Sequence, residues 1–319
     1  MGEKQVKEKQ KRNLAIALSL LGYSIFGFSF LFSKHVLDVA VPFVLLAVRF
    51  TVAFLLLNGL LLFRVCRLNL KGKRIGSLLL LGLIQPVIYF ICENYGVKLS
   101  PTSFVGTMLA LVPVASLIAA RVFLKEKIRA FQTACSLLSV AGVFLTTLGQ
   151  ERGSFSWLGF LLMLAAVCAG AMFNVLSRKI SVRFSAFERT YVMFALGSAV
   201  FTCIALIQSA GDVQEMFLAP LREADFWIPV LYLAGLSSVG AFMMLNYSVT
   251  HLDVASASIF GNITTVITIL AGVLLLNETF GVYQVVGSLI IVLSAYGVNA
   301  RRRTKPMHPE IHREKNATV

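Results

Sequence analysis

Ten long apolar runs, near residues 13–33, 42–63, 75–97, 102–123, 130–149, 157–177, 185–208, 227–249, 254–276 and 281–300, leave this chain few ways to fold. A helix crossing the hydrocarbon core takes about 20 apolar residues, so ten helices of about 21 use roughly 210 of the 319 positions. No remaining stretch is long enough for a soluble domain. Composition agrees: 57% of the residues are hydrophobic and only 14% charged, whereas soluble domains carry about 25% charge. The charged side chains thin out inside the runs, where burying one in lipid costs a few kcal/mol. The net charge of +14 therefore describes loops and ends and does not point to a nucleic-acid partner. Cys66, Cys92, Cys135, Cys168 and Cys203 lie in or beside apolar runs without C-x-x-C spacing, so neither disulfides nor a metal site are expected of them.

Lys and Arg set the orientation. With the N-terminus inside, twenty-three fall on the inner face and only Lys34, Lys98, Arg152 and Arg222 on the outer one; Arg49 and Arg189 lie within runs. Both termini are thus expected on the cytoplasmic side of the plasma membrane. The longest outer loop, about residues 209–226, holds Asp212, Glu215, Glu223 and Asp225 against one Arg. Trp157 and Trp227 stand at predicted outer ends, where amphipathic rings settle. The basic N-terminal segment runs into the first helix with no small-residue cleavage site and reads as a retained signal-anchor.

The chain also repeats itself. Shifted by 152 residues without a gap, positions 79–140 match 231–292 at 15 of 62 positions, where this composition gives about five by chance. The matches include Asn94-Tyr95 with Asn246-Tyr247, Glu126 with Glu278, Gln132 with Gln284 and Ser136 with Ser288. At nearby offsets Ser33-Lys34 answers Ser177-Arg178, and Arg49 answers Arg189. Each copy holds five helices, an odd number, so the second must lie upside down relative to the first. The predicted fold is an all-α membrane protein of ten transmembrane helices in two inverted five-helix repeats, residues 13–149 and 157–300, followed by a cytoplasmic tail, 301–319. Inverted repeats are characteristic of secondary transporters.

The segment from Pro113 through Leu124-Lys125-Glu126-Lys127 to Gln132 and Gly142, its echo Leu276-Asn277-Glu278-Thr279 and Gln284, and Arg49 in the second run resemble the twice-repeated domain of EamA-type carriers in the drug/metabolite transporter superfamily. The resemblance covers roughly residues 13 to 300. It implies a central cavity lined mainly by helices 1, 3, 4, 6, 8 and 9, and movement of small metabolites, often outward. The Trp-Gly usual in helix 1 is Phe26-Gly27 here, and Thr265 stands where helix 4 has Pro113; these departures bear on the substrate.

Residues that share helix faces indicate where a solute would sit. Gly82, Gln85, Tyr89, Glu93 and Gly96 recur at three- and four-residue steps in the third run, beside Pro86. The ninth run does the same with Ser258, Asn262, Thr265 and Thr268, and the fourth with Gly106, Ala110, Pro113 and Ser116. Tyr23, Phe26 and Phe30 stripe the first run opposite Val167, Gly170 and Asn174 of the sixth. Expected substrate-binding residues are Tyr23, Phe26, Gln85, Tyr89, Asn174, Asn262 and Thr265. Glu93, about four residues from a helix end and within reach of water, is the candidate for coupling or gating. Arg49 and Arg189 read as scaffold, and Glu126 and Glu278 as helix caps.

No constellation suits catalysis or a cofactor. His308 and His312 flank Pro309 in a polar tail, and the sequons at Asn262, Asn277 and Asn316 fall where a glycan does not fit. The chain is read as a secondary carrier, not an enzyme, exporting small metabolites such as amino acids by alternating access, as a monomer or homodimer in the bilayer. Drug-like organic cations and nucleotide-sugars are alternative substrates, and a polytopic receptor or membrane enzyme the alternative class.

Overall fold

A computed structural model describes residues 3–124, 130–148, 156–252 and 260–300, which form helices and no strand. We number them α1 (Glu3–Leu37), α2 (Pro42–Leu62), α3 (Gly76–Lys98), α4 (Thr102–Phe123), α5 (Ala130–Leu148), α6 (Trp157–Ile180), α7 (Ala186–Gln208), α8 (Ala224–His251), α9 (Gly261–Leu275) and α10 (Val282–Ala300). Seven, α1 to α4 and α6 to α8, are long and apolar enough to cross a membrane. In α5, α9 and α10 the apolar stretch is shorter, and the run expected over 254–276 begins outside the described residues. Helix α1 starts ten residues before the apolar run because Glu, Lys and Gln favour helix as well as apolar residues do.

Three helices are interrupted, each where the sequence removes a backbone bond or crowding side chains. In α3 Gln85 is extended (φ −145°, ψ 113°) before Pro86, which lacks an N–H and disfavours helix in the residue before it. In α4 the helix breaks between Leu109 and Val112, because Pro113 has no N–H to donate to Leu109. In α8 the turns widen to the i→i+5 pattern over Tyr232–Ala241, a stretch holding Gly235, Ser237, Ser238 and Gly240.

Packing follows small residues and hydroxyls. Helices α2 and α7 run antiparallel: Thr51 shares hydrogen bonds with Ser198 (3.0 Å) and Thr202 (3.2 Å), Tyr191 donates to Asn58 Oδ1 (3.0 Å), and Phe50 stacks on Phe194 at 4.9 Å. Against α1, α9 places Thr264, which donates to the Tyr23 carbonyl (2.8 Å), and Thr268, which donates to that of Gly27 (3.1 Å). The α5–α10 pair closes at Gly142 and Gly287, where a Cβ on either would come within 2.8 Å of the other's carbonyl oxygen. Around the loops, Lys73 pairs with Glu188 at 2.8 Å, and Glu188 also completes a capping box with Ser185 at the start of α7.

Glu278 behaves as its cap reading requires. From the α9–α10 connection its carboxylate accepts from the backbone N–H groups of Thr102 (2.6 Å) and Ser103 (2.7 Å), the free N-terminus of α4. Gly272 leaves room for it, since a Cβ there would lie 2.6 Å from Glu278 Oε2. The cap expected of Glu126 lies outside the described residues. Glu278→Ala should cost about 1–2 kcal/mol and Gly272→Ala a similar amount by displacing the carboxylate. Both should lower the melting temperature of detergent-purified protein in fluorescence-detected size-exclusion scans. Gly59→Ala, with nothing within 4 Å of its would-be Cβ, should not lower it.

Candidate functional site: a central cavity

The breaks in α3 and α4 border a partly open cavity formed by α1, α3, α4, α6, α8 and α9. Its walls are aromatic: Tyr23, Phe26 and Phe30 from α1, Tyr89 from α3, Phe173 from α6 and Phe242 from α8. Phe242 organises them, meeting Phe26 edge-on at 5.2 Å and Phe173 at 6.1 Å. The Tyr89 ring lies beside Gly170 of α6, where a would-be Cβ would be in ordinary contact at 3.5 Å from Tyr89 Cε2. Polar groups are few. Gln85, carried on the extended residue of α3, has its Oε1 buried without a hydrogen-bond partner. Asn174 donates from Nδ2 to Ser116 Oγ (3.2 Å), and the Thr264 hydroxyl is spent on Tyr23. Among the described residues the lining contains no Asp, Glu, Lys, Arg or His. Such a site recognises a solute by ring faces and amide dipoles rather than by a fixed ion pair.

Of the residues expected from sequence, Tyr23, Phe26, Gln85, Tyr89 and Asn174 come together on this lining. Asn262 and Thr265 do not. Helix α9 presents Gly261 and Thr264, one residue or about 100° round the helix from them, while Asn262 Oδ1 and Thr265 Oγ1 are buried without partners. The polar face read from sequence follows Thr268, which points at α1. Sequence reading missed Phe173, Phe242 and Leu245. For Phe242 a signal was present: it sits 152 residues from Phe90, on the repeat offset.

Glu93 is not within reach of water as its place in α3 suggests. It is 2% exposed, accepts a short hydrogen bond from Asn94, and is not on the cavity lining. The end of α1 covers this end of α3, with Lys34 Nζ donating to the carbonyls of Val97 (3.0 Å) and Ser100 (3.3 Å). Both buried arginines are wholly inside protein. Arg49 donates to Ser238 Oγ (2.9 Å) and Ser237 Oγ (3.1 Å) on the widened stretch of α8 and lies 4.6 Å from the Phe90 ring centroid. Arg189 is bound to α6 and α8. The five cysteines are free thiols, and the described residues hold no group of three His, Cys, Asp or Glu able to take a metal ion.

Residues 13–148 and 156–300 each match the model of the EamA-like transporter family. The uncharacterized transporter YcxC of Bacillus subtilis is 34% identical over 305 residues, covering 94% of this chain and 97% of that protein. A protein of Streptantibioticus cattleyicolor named "Probable terminal-alkyne amino-acid exporter" is 20% identical over 231 residues, covering 72% of this chain and 75% of that one. A crystal structure superposes with a TM-score of 0.65 at 18% identity, covering 92% of this chain and all of that one, a likeness of fold.

The lining makes a sharp distinction within α9. In a background with the five native cysteines replaced, Thr264→Cys and Asn174→Cys should react with a small methanethiosulfonate in membranes, and Thr265→Cys, fully buried, far more slowly. Equal rates at 264 and 265 would contradict the placement of α9.

Proposed function

Because this chain belongs to the EamA-like transporter family, we propose that it exports small metabolites, amino acids or related amphipathic compounds, by alternating access around the central cavity. It is a membrane transporter; the substrate, direction and site residues are our reading. The observation that carries it is the cavity itself, walled by aromatic rings and holding the Gln85 amide oxygen without a hydrogen-bond partner. A solute bringing an N–H donor and apolar surface exchanges its water for these groups. Tyr23, Phe26, Gln85, Tyr89 and Asn174 would contact it, with Asn262 and Thr265 behind the wall and Glu93 as gate or coupling group. The Streptantibioticus relative, named "Probable terminal-alkyne amino-acid exporter", favours the same class and direction.

The arrangement we propose is ten spans in two inverted repeats, 13–149 and 157–300, with both termini and the tail 301–319 on the cytoplasmic side of the plasma membrane. Two pairs of hydrogen bonds support it. Lys34 donates to the Val97 carbonyl (3.0 Å) as Arg178 does to that of Val249 (2.9 Å), at the offsets of the sequence repeat. Thr51 with Ser198, and Tyr191 with Asn58, exchange under a common offset of 140, as a two-fold axis between antiparallel α2 and α7 requires. A drug-like cation fits less well, since among the described residues no carboxylate lines the cavity, and a nucleotide-sugar less well still, since no basic group does.

A survey of the medium from cells with and without the protein should show one or a few such metabolites accumulating with it, and flux of those compounds in proteoliposomes should require it. An unchanged medium together with absent flux would refute the export reading. Gln85→Ala and Asn174→Ala should each cut that flux about tenfold, the worth of one neutral hydrogen bond, with folding intact. Asn262→Ala should cut it less. Wild-type flux in both Gln85→Ala and Asn174→Ala would remove the cavity from the transport path. For topology, a Cys placed at Gly211 should react with an impermeant reagent in intact cells and one at Thr304 should not.

A further inference from the structure

We propose that Arg49, Ser33 and Asn94 form a second clamp, equivalent to the one Arg189 makes here, and that the two clamps close in alternation at opposite ends of the α2–α7 pair. The inference rests on the repeat arrangement proposed above.

In the second repeat the clamp is closed. Arg189 Nη1 donates to the Ser177 carbonyl (2.9 Å) and Ser177 Oγ (2.6 Å), and Nη2 to the Asn246 carbonyl (2.6 Å) and Thr250 Oγ1 (2.6 Å). Ser177 Oγ in turn donates a hydrogen bond to Asn246 Oδ1 (2.9 Å), so a chain runs from guanidinium to hydroxyl to amide across α7, α6 and α8. The repeat offsets map these residues onto Arg49, Ser33 and Asn94, and all three are 0% exposed. In the first repeat the same three atoms, Arg49 Nη1, Ser33 Oγ and Asn94 Oδ1, are buried without a partner. They are a donor, a donor-acceptor and an acceptor, the complement needed to close the same chain. Arg49 instead spends its Nε and Nη2 on Ser238 and Ser237 of α8.

The ends of α1 and α3 are already tied by Lys34 to Val97 as those of α6 and α8 are by Arg178 to Val249. What remains is for the guanidinium to leave the widened stretch of α8. Since Thr51 lies level with Ser198 and Thr202, Arg49 and Arg189 sit roughly 20 Å apart along the pair at 1.5 Å per residue. A carrier that opens one end at a time needs a bond set at each end that is made when the other is broken. Unsatisfied buried groups in one repeat, matched atom for atom by satisfied ones in the other, provide it.

Hydrogen exchange of the full-length protein in lipid nanodiscs tests this without a substrate. Thr250→Val should raise exchange at 177–190 and 246–251 and lower it at 33–37 and 94–98. Adding Ser33→Ala should abolish the lowering and keep the rise. If Thr250→Val does not fold, Arg189→Lys serves as the weakened clamp with the same expectations. A rise confined to 177–190 and 246–251, or a lowering that survives Ser33→Ala, would overturn the proposal. Cysteines at Val39 and Val182, in the α1–α2 and α6–α7 connections, separate the two levels of argument. Labelling from opposite faces with no reciprocal exchange would overturn the clamp alone, and labelling from one face would overturn the repeat arrangement beneath it.

Discussion

A polar atom taken into this protein's interior has neither water nor lipid to bond to, and its need for a partner decides how the helices meet. Apolar attraction does not choose, because a lipid tail serves a leucine as well as a neighbouring helix does. The seams are therefore chosen by hydroxyls that reach a neighbour's carbonyl and by glycines that let the backbones approach. Thr264 and Thr268 fix α9 on α1, Thr51 and Tyr191 fix α2 on α7, and Gly142 with Gly287 closes α5 on α10. Glu278 extends the same rule to a helix end, meeting two backbone donors of α4 from another connection.

Departures from regular helix concentrate beside the cavity. The extended residue of α3 presents the Gln85 amide to the centre, and the widened turns of α8 present Ser237 and Ser238 to Arg49. Both devices leave backbone or side-chain groups short of regular partners, and both are enclosed by other helices, the one setting in which such backbone is tolerated at membrane depth. They also give α3 and α8 places to bend next to the cavity.

The two matching halves of the sequence share residues but only some of their bonds. Lys34 and Arg178 act alike at the ends of α1 and α6, while Arg49 and Arg189 differ in every partner. Identical arginine side chains thus sit in unlike environments in the two halves of the chain.

Much of this was legible beforehand. The apolar runs and the placement of Lys and Arg required a multi-span helical protein, because hydrocarbon thickness and backbone hydrogen bonding admit little else. Periodicity in the first, third and sixth runs brought Tyr23, Phe26, Gln85, Tyr89 and Asn174 to one cavity, since polar and aromatic stripes turn away from lipid. Asn262 and Thr265 were misplaced by one position because periodicity gives a helix face, not the rotation at which that face meets its neighbours, and in α9 Thr264 and Thr268 set the rotation through carbonyls that carry no sequence signal. The burial of Glu93 was equally invisible, because it depends on how neighbouring helices pack on α3. The sequence by itself determined the helical class, the repeat and the inward stripes, each set by local pattern against lipid. Only the tertiary structure decided the rotation of α9, the burial of Glu93 and which partners each arginine found, because these depend on where distant backbone carbonyls and hydroxyls come to rest.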